Sequence, residues 1–259
     1  MLTFVGLGLY DERSVTVAGR DAIHSADRVV AEFYTSRLAG TTVADLESHH
    51  GVDIEVRDRA GVEQTPEDVL DDARSREVVF LTAGDTMVST THVDLRLRAR
   101  ERGVETRIVH GTTAQTAASS LTGLQNYRFG KATTLPFERS HGGEGVPASV
   151  VETIEANRGR GLHTLVFLDI DAANDDYMRA SEAAEALADA WDAEALGVAV
   201  ARAGSPSPVV RADTLETLAD ESFGDPLHLL VVPGDLHLLE REALAELGDA
   251  PEDALPPAV

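Results

Sequence analysis

Short apolar runs alternate with amphipathic stretches from one end of the chain to the other. The apolar runs are almost uninterrupted, as in strands that are buried on both faces of a sheet, and this alternation predicts an α/β fold. The predicted strands are Leu2–Gly6, Arg28–Phe33, Asp53–Arg57, Val78–Ala83, Glu105–His110, Lys131–Leu135, Thr164–Ile170, Leu196–Ala201 and Leu227–Val232. The predicted helices are Ser14–Ser25, Val43–His50, Pro66–Ser75, Thr91–Arg102, Thr113–Leu121, Pro147–Arg158, Tyr177–Ala190, Thr214–Asp220 and His237–Leu247.

Capping residues mark several of the predicted helix ends. Thr65 should cap a helix that starts at Pro66, since proline suits the first helical position and acidic residues follow it. Gly103 should follow the end of the helix Thr91–Arg102. Leucine and alanine alternate with arginine in that segment, as they would in a strand, but these residues are strong helix formers and a β-rich run follows. The helix is therefore favoured.

The chain length of 259 residues suits two modest domains or one large one. The segment 137–146, with three glycines, is the best candidate for a linker, although it would equally suit a surface loop within a domain. The tail 249–259 is rich in proline and acidic residues and is predicted to be frayed.

The composition narrows the class of protein. The chain has no cysteine, which excludes disulfides, thiolate nucleophiles and zinc–thiolate sites. No metal site is predicted, because only the adjacent His49 and His50 lie close together in sequence. No apolar run approaches the roughly 18 residues that a membrane span needs, and the N-terminal apolar run meets acidic residues too early for a signal peptide. These features predict a soluble cytoplasmic protein with no membrane partner.

Acidic residues outnumber basic ones by 45 to 22, which gives a formal charge of −23, and Lys131 is the only lysine. The acids are spread over the predicted helices instead of forming a tail. Such a surface repels itself in dilute buffer, whereas in molar salt the screening length falls to about 3 Å. The charge therefore indicates adaptation to high internal salt. It also argues against binding to a nucleic-acid backbone.

The one local cationic cluster consists of Arg96, Arg98, Arg100 and Arg102. These arginines would either dock an acidic partner or neutralise nearby carboxylates. The second interpretation is favoured, because runs of charge usually mark a solvated helix face.

A glycine turn follows the first predicted strand, in the sequence Gly6-Leu7-Gly8-Leu9-Tyr10-Asp11. It begins like the dinucleotide-binding pattern G-x-G-x-x-G, but Asp11 stands where the third glycine belongs and would repel a pyrophosphate. A tight turn remains at the carboxyl end of a strand, which is where open α/β sheets place ligands. A purely structural turn is the alternative.

Two further motifs follow later strands. In Gly84-Asp85, the glycine would let a ligand approach the backbone, and the carboxylate would accept hydrogen bonds from ribose hydroxyls or an ammonium group; the alternative is that Asp85 caps the next helix. The small residues of His110-Gly111-Thr112-Thr113-Ala114 would admit a ligand against the backbone, and helix capping is again the alternative. Together the three motifs predict a ligand site at the carboxyl ends of neighbouring strands.

Several longer strings resemble one enzyme family. They are GLGLYDERSVTVAG, AEFYTS, GTTV, the GD-M-TTHVDLRLRA stretch, LTGLQ-Y-FGK and GLHTL-LDI. In a consistent order along most of the chain, they resemble the archaeal diphthine synthases of the tetrapyrrole methylase superfamily. The resemblance implies two α/β domains, which we place at residues 1–112 and 113–259, with S-adenosyl-L-methionine bound in the cleft between them. It also implies a homodimer.

The resemblance also implies which residues contact the methyl donor. Those at matching positions are Leu9, Asp85, Val88, Thr113 and Ala114 in the first three motifs, and Leu168, Ala203 and His228 in the second domain.

The implied reaction transfers methyl groups from S-adenosyl-L-methionine to the amine of a 3-amino-3-carboxypropyl group on a histidine of translation elongation factor 2. A methyl sulfonium is already activated, so alignment of donor and amine can supply most of the acceleration. Water can take the released protons, so a dedicated base is not obligatory and no catalytic residue is assigned. His92, His110 and His228 are candidates for that task, and each would equally suit a structural role.

Three other functions share parts of this pattern. A sister methylase acting on a corrinoid or on ribosomal RNA would share the donor-binding turns, but AEFYTS and LTGLQ argue against it. A nicotinamide dehydrogenase would use an acidic residue at the end of the second strand, where Glu32 lies, but Asp11 spoils its phosphate turn. A nucleotide-sensing module without activity is the non-enzymatic alternative.

Overall fold

The computed structural model describes residues 1–172 and 174–259, and the chain divides into two compact units, Met1–Thr113 and Ala114–Val259. Both units combine helices with a five-stranded sheet, so the predicted α/β class is confirmed. Among the described residues, no helix has the length and apolar character needed to cross a membrane.

The first unit is built on a parallel sheet. Its strands are β1 (Leu2–Gly6), β2 (Arg28–Glu32), β3 (Ile54–Arg57), β4 (Val78–Thr82) and β5 (Thr106–Val109), in the spatial order β3-β2-β4-β1-β5. Its helices are α1 (Val17–His24), α2 (Val43–His50), α3 (Arg59–Glu63), α4 (Glu67–Asp72) and α5 (Val93–Glu101). Because β4, β1 and β5 are parallel neighbours, the loops that follow them emerge at one edge of the sheet.

This sheet is covered on both faces, as its continuous apolar strands require. Leu2 and Phe4 of β1 pack with Phe80 and Leu95 on one face. Val5 packs on the other face, in a cluster that includes residues of α1 and α2. The alternation of neighbouring side chains between two buried faces explains why β1 shows no polar position facing solvent.

The second unit holds a mixed sheet in the order β11-β10-β12-β7-β6, together with a small hairpin of β8 and β9. Its strands are β6 (Thr133–Leu135), β7 (Thr164–Leu168), β8 (Ile170–Asp171), β9 (Asp176–Tyr177), β10 (Leu196–Ala201), β11 (Val209–Thr214) and β12 (His228–Val232). Its helices are α6 (Ala114–Thr122), α7 (Glu138–His141), α8 (Ala148–Arg158), α9 (Ala180–Ala190), α10 (Leu215–Ala219) and α11 (Leu238–Leu247). β12 runs antiparallel to both of its neighbours, β10 and β7.

Several local predictions are confirmed. The ambiguous arginine-rich segment is the helix α5, and Gly103 follows it with φ +72°. Two of its arginines pair with carboxylates, Arg98 with Asp94 at 2.8 Å and Arg102 with Glu67 at 3.8 Å. This pairing agrees with neutralisation of local acids, the favoured interpretation of the cluster.

Other local predictions are wrong. Helix α4 begins at Glu67 with Pro66 as its N-cap, so the predicted start is one residue early. The tail is not frayed at every position, because Leu255 is buried and the N–H of Val259 donates to the carbonyl of Leu236 at 2.9 Å. The segment 137–146 lies within the second unit and contains α7, which agrees with the alternative of a loop inside a domain and not with a linker.

Candidate active site

Three loops meet at the carboxyl edge of the first sheet. They follow β1, which ends at Gly6, and β4 and β5, whose following loops carry Gly84 and Gly111. A Cβ atom on Gly6 would lie 2.5 Å from the carbonyl oxygen of Gly84 and 2.7 Å from the nitrogen of Gly111. Any side chain there would push the loops apart, so glycine is required for this backbone contact.

The first two loops are also joined by hydrogen bonds. The N–H of Gly84 donates to the carbonyl of Gly8 at 2.7 Å, and the N–H of Gly8 donates to that of Gly84 at 3.1 Å. Both glycines have positive φ, +75° and +70°, a conformation that side chains disfavour. A Cβ on Gly84 would meet nothing within 4 Å, so the backbone borders open space at this point. A ligand can therefore approach the peptide closely there.

Asp85 connects this pair of loops to the third. Its side chain is buried, and Oδ1 accepts a hydrogen bond from the N–H of Met87 at 3.0 Å. Oδ2 accepts from the N–H of Gly111 at 3.2 Å and lies 2.8 Å from Nδ1 of His110. Asp85 therefore does not cap the following helix α5, whose N-cap is His92. It fixes the geometry of the edge where the three glycines meet.

The remaining predicted donor contacts of the first unit lie on the same loops. Leu9 is half-buried in the first turn, and its carbonyl accepts a hydrogen bond from the hydroxyl of Ser14. Val88 lies three residues after Asp85 and is 41% exposed. Thr113 ends the first unit and Ala114 opens α6. The structure thus brings Leu9, Asp85 and Val88 to one edge of the sheet.

The predicted contacts of the second unit also share one sheet edge. β12 pairs antiparallel with β7 and β10, with Leu229 opposite Phe167 and His228 opposite Ala201. Leu168, at the end of β7, and Ala203, just beyond β10, therefore lie near the start of β12, where His228 stands. The register between these residues could not be read from the sequence, because β12 reverses direction relative to both neighbours.

The imidazole of His228 is fully engaged by the protein. The N–H of Ala180 donates to its Nδ1 at 3.1 Å, and Nε2 lies 3.0 Å from the carbonyl oxygen of Asp225. Burial lowers the pKa of His228 to about 4, so the ring is neutral at physiological pH. Its side chain therefore has a structural role.

His92 and Glu32 form a second structural pair in the first unit. Both side chains are buried, with His92 Nε2 lying 3.4 Å from Glu32 Oε1 and His92 Nδ1 lying 3.3 Å from the carbonyl oxygen of Thr86. Burial lowers the pKa of His92. Glu32 also accepts hydrogen bonds from the N–H groups of Tyr34 and Thr35, both at 3.0 Å. A carboxylate occupied in this way is not available to a ribose, which removes the main feature of the dehydrogenase interpretation.

His110 differs from the other two candidate histidines. Its side chain is 77% exposed, while Nδ1 faces the buried carboxylate of Asp85. The sequence analysis identified His110 and Asp85 separately as candidates. Their pairing joins positions 25 apart and depends on β4 and β5 lying on either side of β1. No local pattern carries that information.

Comparisons with known proteins agree with this architecture. A family model described as Tetrapyrrole (Corrin/Porphyrin) Methylases matches residues 1–219. The chain is 67% identical over 268 residues to a diphthine synthase of Natronomonas pharaonis, with 100% of both chains covered. It is 69% identical over 260 residues to a diphthine synthase of Halobacterium salinarum, covering 98% of this chain and 100% of that one. A crystal structure of a diphthine synthase is 41% identical, with a TM-score of 0.91 and 98% of each chain covered.

Proposed function

The chain belongs to the diphthine synthase family of the tetrapyrrole (corrin/porphyrin) methylases, and from this premise we propose that it methylates the 3-amino-3-carboxypropyl histidine of translation elongation factor 2. It is an S-adenosyl-L-methionine-dependent methyltransferase of diphthamide biosynthesis. The observation that carries the proposal is the 67% identity over the full length of a diphthine synthase. A sister methylase acting on a corrinoid or on ribosomal RNA is not favoured, because the curated relatives share the diphthine synthase name.

The edge of the first sheet suits the methyl donor. S-adenosyl-L-methionine supplies a methyl group on a sulfonium, and it presents ribose hydroxyls and an ammonium group that a carboxylate can bind. Asp85 is the carboxylate at this edge, but its oxygens already accept from the N–H groups of Met87 and Gly111, so it contributes by holding the loop in place. Gly84 leaves the backbone accessible, and Val88 offers apolar contact. We assign donor binding to Leu9, Asp85, Val88, Thr113 and Ala114 in the first unit and to Leu168, Ala203 and His228 in the second.

The protein residues contribute by positioning. The buried hydrogen bonds of Asp85 fix the loop after β4 against the loop after β5. These loops therefore lose little conformational freedom when the donor binds. Transfer to an amine needs the two reactants in line at close range, and fixed loops supply that alignment.

We also propose the partners of the enzyme and its location in the cell. Elongation factor 2 is the protein substrate, the enzyme acts as a homodimer in the cytoplasm, and neither nucleic acid nor membrane is a partner. The high negative charge, −23 for the chain, supports the last point because it repels phosphate backbones and anionic lipid. The diphthine synthases that are 67% and 69% identical to this chain come from halophilic archaea, and this source agrees with the salt adaptation that the charge indicates.

Label transfer tests the proposed substrate. Purified enzyme and S-adenosyl-L-methionine with a radiolabelled methyl group are incubated, in molar KCl, with elongation factor 2 from a strain lacking this gene. Label should enter that protein, and much less should enter elongation factor 2 from the parent strain, whose histidine is already modified. Absence of label on the factor from the deletion strain would reject the proposed substrate. If the enzyme then still bound S-adenosylhomocysteine, it would be a methylase that acts on a different substrate.

A further inference from the structure

The pairing of His110 with Asp85 leaves one imidazole nitrogen without a protein partner. Nδ1 lies 2.8 Å from Oδ2 of Asp85, and an ionised carboxylate can only accept, so Nδ1 carries the proton and donates it. Nε2 then holds a lone pair. Within residues 1–172 and 174–259 it makes no hydrogen bond, and the side chain is 77% exposed.

The other two candidate histidines provide an internal contrast. His92 and His228 are only 2% and 5% exposed as residues. Both ring nitrogens of His228 have hydrogen-bond partners, whereas in His92 Nδ1 faces the carbonyl oxygen of Thr86 and Nε2 lies buried 3.4 Å from Glu32. The rings of His92 and His228 therefore have structural roles. In His110 the carboxylate orients the ring from one side and leaves the other side free, which is the arrangement of a base and the group that orients it.

His110 also lies beside the loops that are proposed to bind the methyl donor. It follows β5 at the sheet edge where the three glycine loops meet. Asp85, which holds the ring, belongs to the loop assigned to the methyl donor, and the N–H of the next residue, Gly111, donates to the same carboxylate oxygen at 3.2 Å. The ring is therefore held against the proposed donor loops by a buried residue, although most of its own surface faces solvent.

We propose that Nε2 of His110 accepts the proton of the acceptor amine, with Asp85 as the positioning residue. This inference rests on the proposed function. An amine of this type is mostly protonated near neutral pH, and only its neutral form has a lone pair to donate. His110 takes one proton from the ammonium group, the nitrogen then forms a bond to the methyl carbon, and the carbon–sulfur bond breaks with its electron pair remaining on sulfur. The proton passes from His110 to solvent, and the ring is ready for the next transfer.

The test uses His110→Ala in the full-length enzyme. Single-turnover methyl transfer to elongation factor 2 is measured at saturating donor and acceptor, alongside the dissociation constant of S-adenosylhomocysteine by calorimetry. Loss of a general base lowers a rate by about 10²–10⁴-fold, so the rate should fall by this order while the dissociation constant stays within about twofold. Free imidazole should restore part of the lost rate, since it can enter the vacated space and accept the proton.

Two further variants sharpen the result. His110→Gln keeps a side-chain N–H for Asp85 but has no basic nitrogen, so it should be about as slow as His110→Ala. His141→Ala removes another exposed histidine, one that bonds within its own loop, and should react at the wild-type rate.

Each contrary result has a distinct meaning. If His110→Ala retains the wild-type rate, or if His110→Gln restores it, proton acceptance by His110 is rejected while the proposed function stands. A slow His110→Ala enzyme that imidazole does not rescue, with donor affinity reduced in proportion, would also reject it in favour of a binding role. If the wild-type enzyme transfers no methyl group to elongation factor 2, the proposed function and this inference are both overturned.

Discussion

The carboxylate of Asp85 binds two loops at once, through the N–H of Met87 on one oxygen and the N–H of Gly111 on the other. An amide of the same size cannot do this, because one of its two ends is a donor and would face an N–H group. Buried carboxylates of this kind therefore determine the geometry of the backbone around them as well as what they bind.

Asp85→Asn should weaken the binding of S-adenosylhomocysteine by about tenfold or more. Hydrogen bonds to a charged group contribute about 1.5–3 kcal/mol each, and 1.4 kcal/mol corresponds to a factor of ten. Calorimetric titration of the variant measures the change, and Asp94→Asn, an exposed carboxylate paired with Arg98 on α5, serves as the matched control. Unchanged affinity in Asp85→Asn would remove this residue from the donor site.

The burial of His228 should make the free energy of unfolding depend on pH. Its folded-state pKa of about 4 lies below the ordinary value of 6.5, because burial disfavours the charged ring. The unfolded chain therefore binds a proton at higher pH than the folded chain does. The resulting stability is complete above pH 6.5 and is lost as the pH falls from 6.5 towards 4, with a total of about 3 kcal/mol.

Urea unfolding in molar KCl between pH 7.5 and pH 4.5 measures that contribution. His228→Asn should be less stable than the wild type at pH 7.5, but its free energy of unfolding should fall less steeply below pH 6.5. A slope remains in the variant because burial also lowers the pKa values of His92 and His163. An equal slope in His228→Asn and the wild type would contradict this prediction.

At the scale of elements, a buried network joins helix α11 to two distant segments of the second unit. Glu240 of α11 lies 3.0 Å from Nε2 of His163, accepts from the N–H of Gln125 at 2.9 Å and lies 3.6 Å from a guanidinium nitrogen of Arg128. Burial alone would raise the pKa of Glu240, but hydrogen bonds from the N–H groups of Gln125 and His237 hold it below its usual value. The carboxylate is therefore ionised and is the centre of the network.

Glu240→Ala should destabilise the protein by about 3–5 kcal/mol, because removal of one partner leaves Arg128 buried without its counter-charge. Denaturant unfolding measures the loss, and Glu242→Ala on the exposed face of the same helix is the control. If both variants lose the same small amount, the buried network does not stabilise the packing of α11.

Sequence patterns predict the bounds of some helices and strands and miss others entirely. β1, α2 and β10 have the predicted bounds, because each is either continuously apolar or has clear capping residues. β11 was missed, since it is an edge strand with polar positions that pairs with β10 alone, and edge strands lack the continuous apolar pattern. The short helix α3 was missed as well, although Asp58 caps it through the N–H of Gly61 at 2.7 Å.

The candidate site was predictable in part for a related reason. Each glycine motif is local, and the rule that ligands bind at the carboxyl ends of parallel strands brings the three motifs together. The pairing of Asp85 with His110 depends on side-chain directions at that edge. Those directions follow from the register of β4, β1 and β5, which sequence periodicity does not specify.

At the scale of the whole molecule, the surface carries a large excess of carboxylates. Some are grouped around arginines, as where Arg28 contacts Glu55, Asp68 and Asp72 within 2.9 Å. With 45 acidic and 22 basic residues, most acids remain without a cation, so repulsion exceeds local pairing. The folded state should therefore depend on screening by salt.

Thermal unfolding should show this dependence directly. Raising KCl from about 0.1 M to 1 M shortens the screening length from about 10 Å to 3 Å, and the Tm should rise by about 4 °C or more, the shift that one to two kcal/mol produces in a domain of this size. A Tm that stays constant or falls with KCl would contradict the interpretation of the surface charge.

Mass spectrometry can locate the transferred methyl groups on the protein substrate. Elongation factor 2 from the deletion strain is incubated with enzyme and S-adenosyl-L-methionine, digested, and analysed by tandem mass spectrometry. We predict that the peptide with the modified histidine gains the mass of one or more methyl groups, and that fragmentation places them on the amine of the 3-amino-3-carboxypropyl group. Methyl groups on any other residue, or an unchanged peptide beside an enzyme that binds S-adenosylhomocysteine, would contradict the assignment.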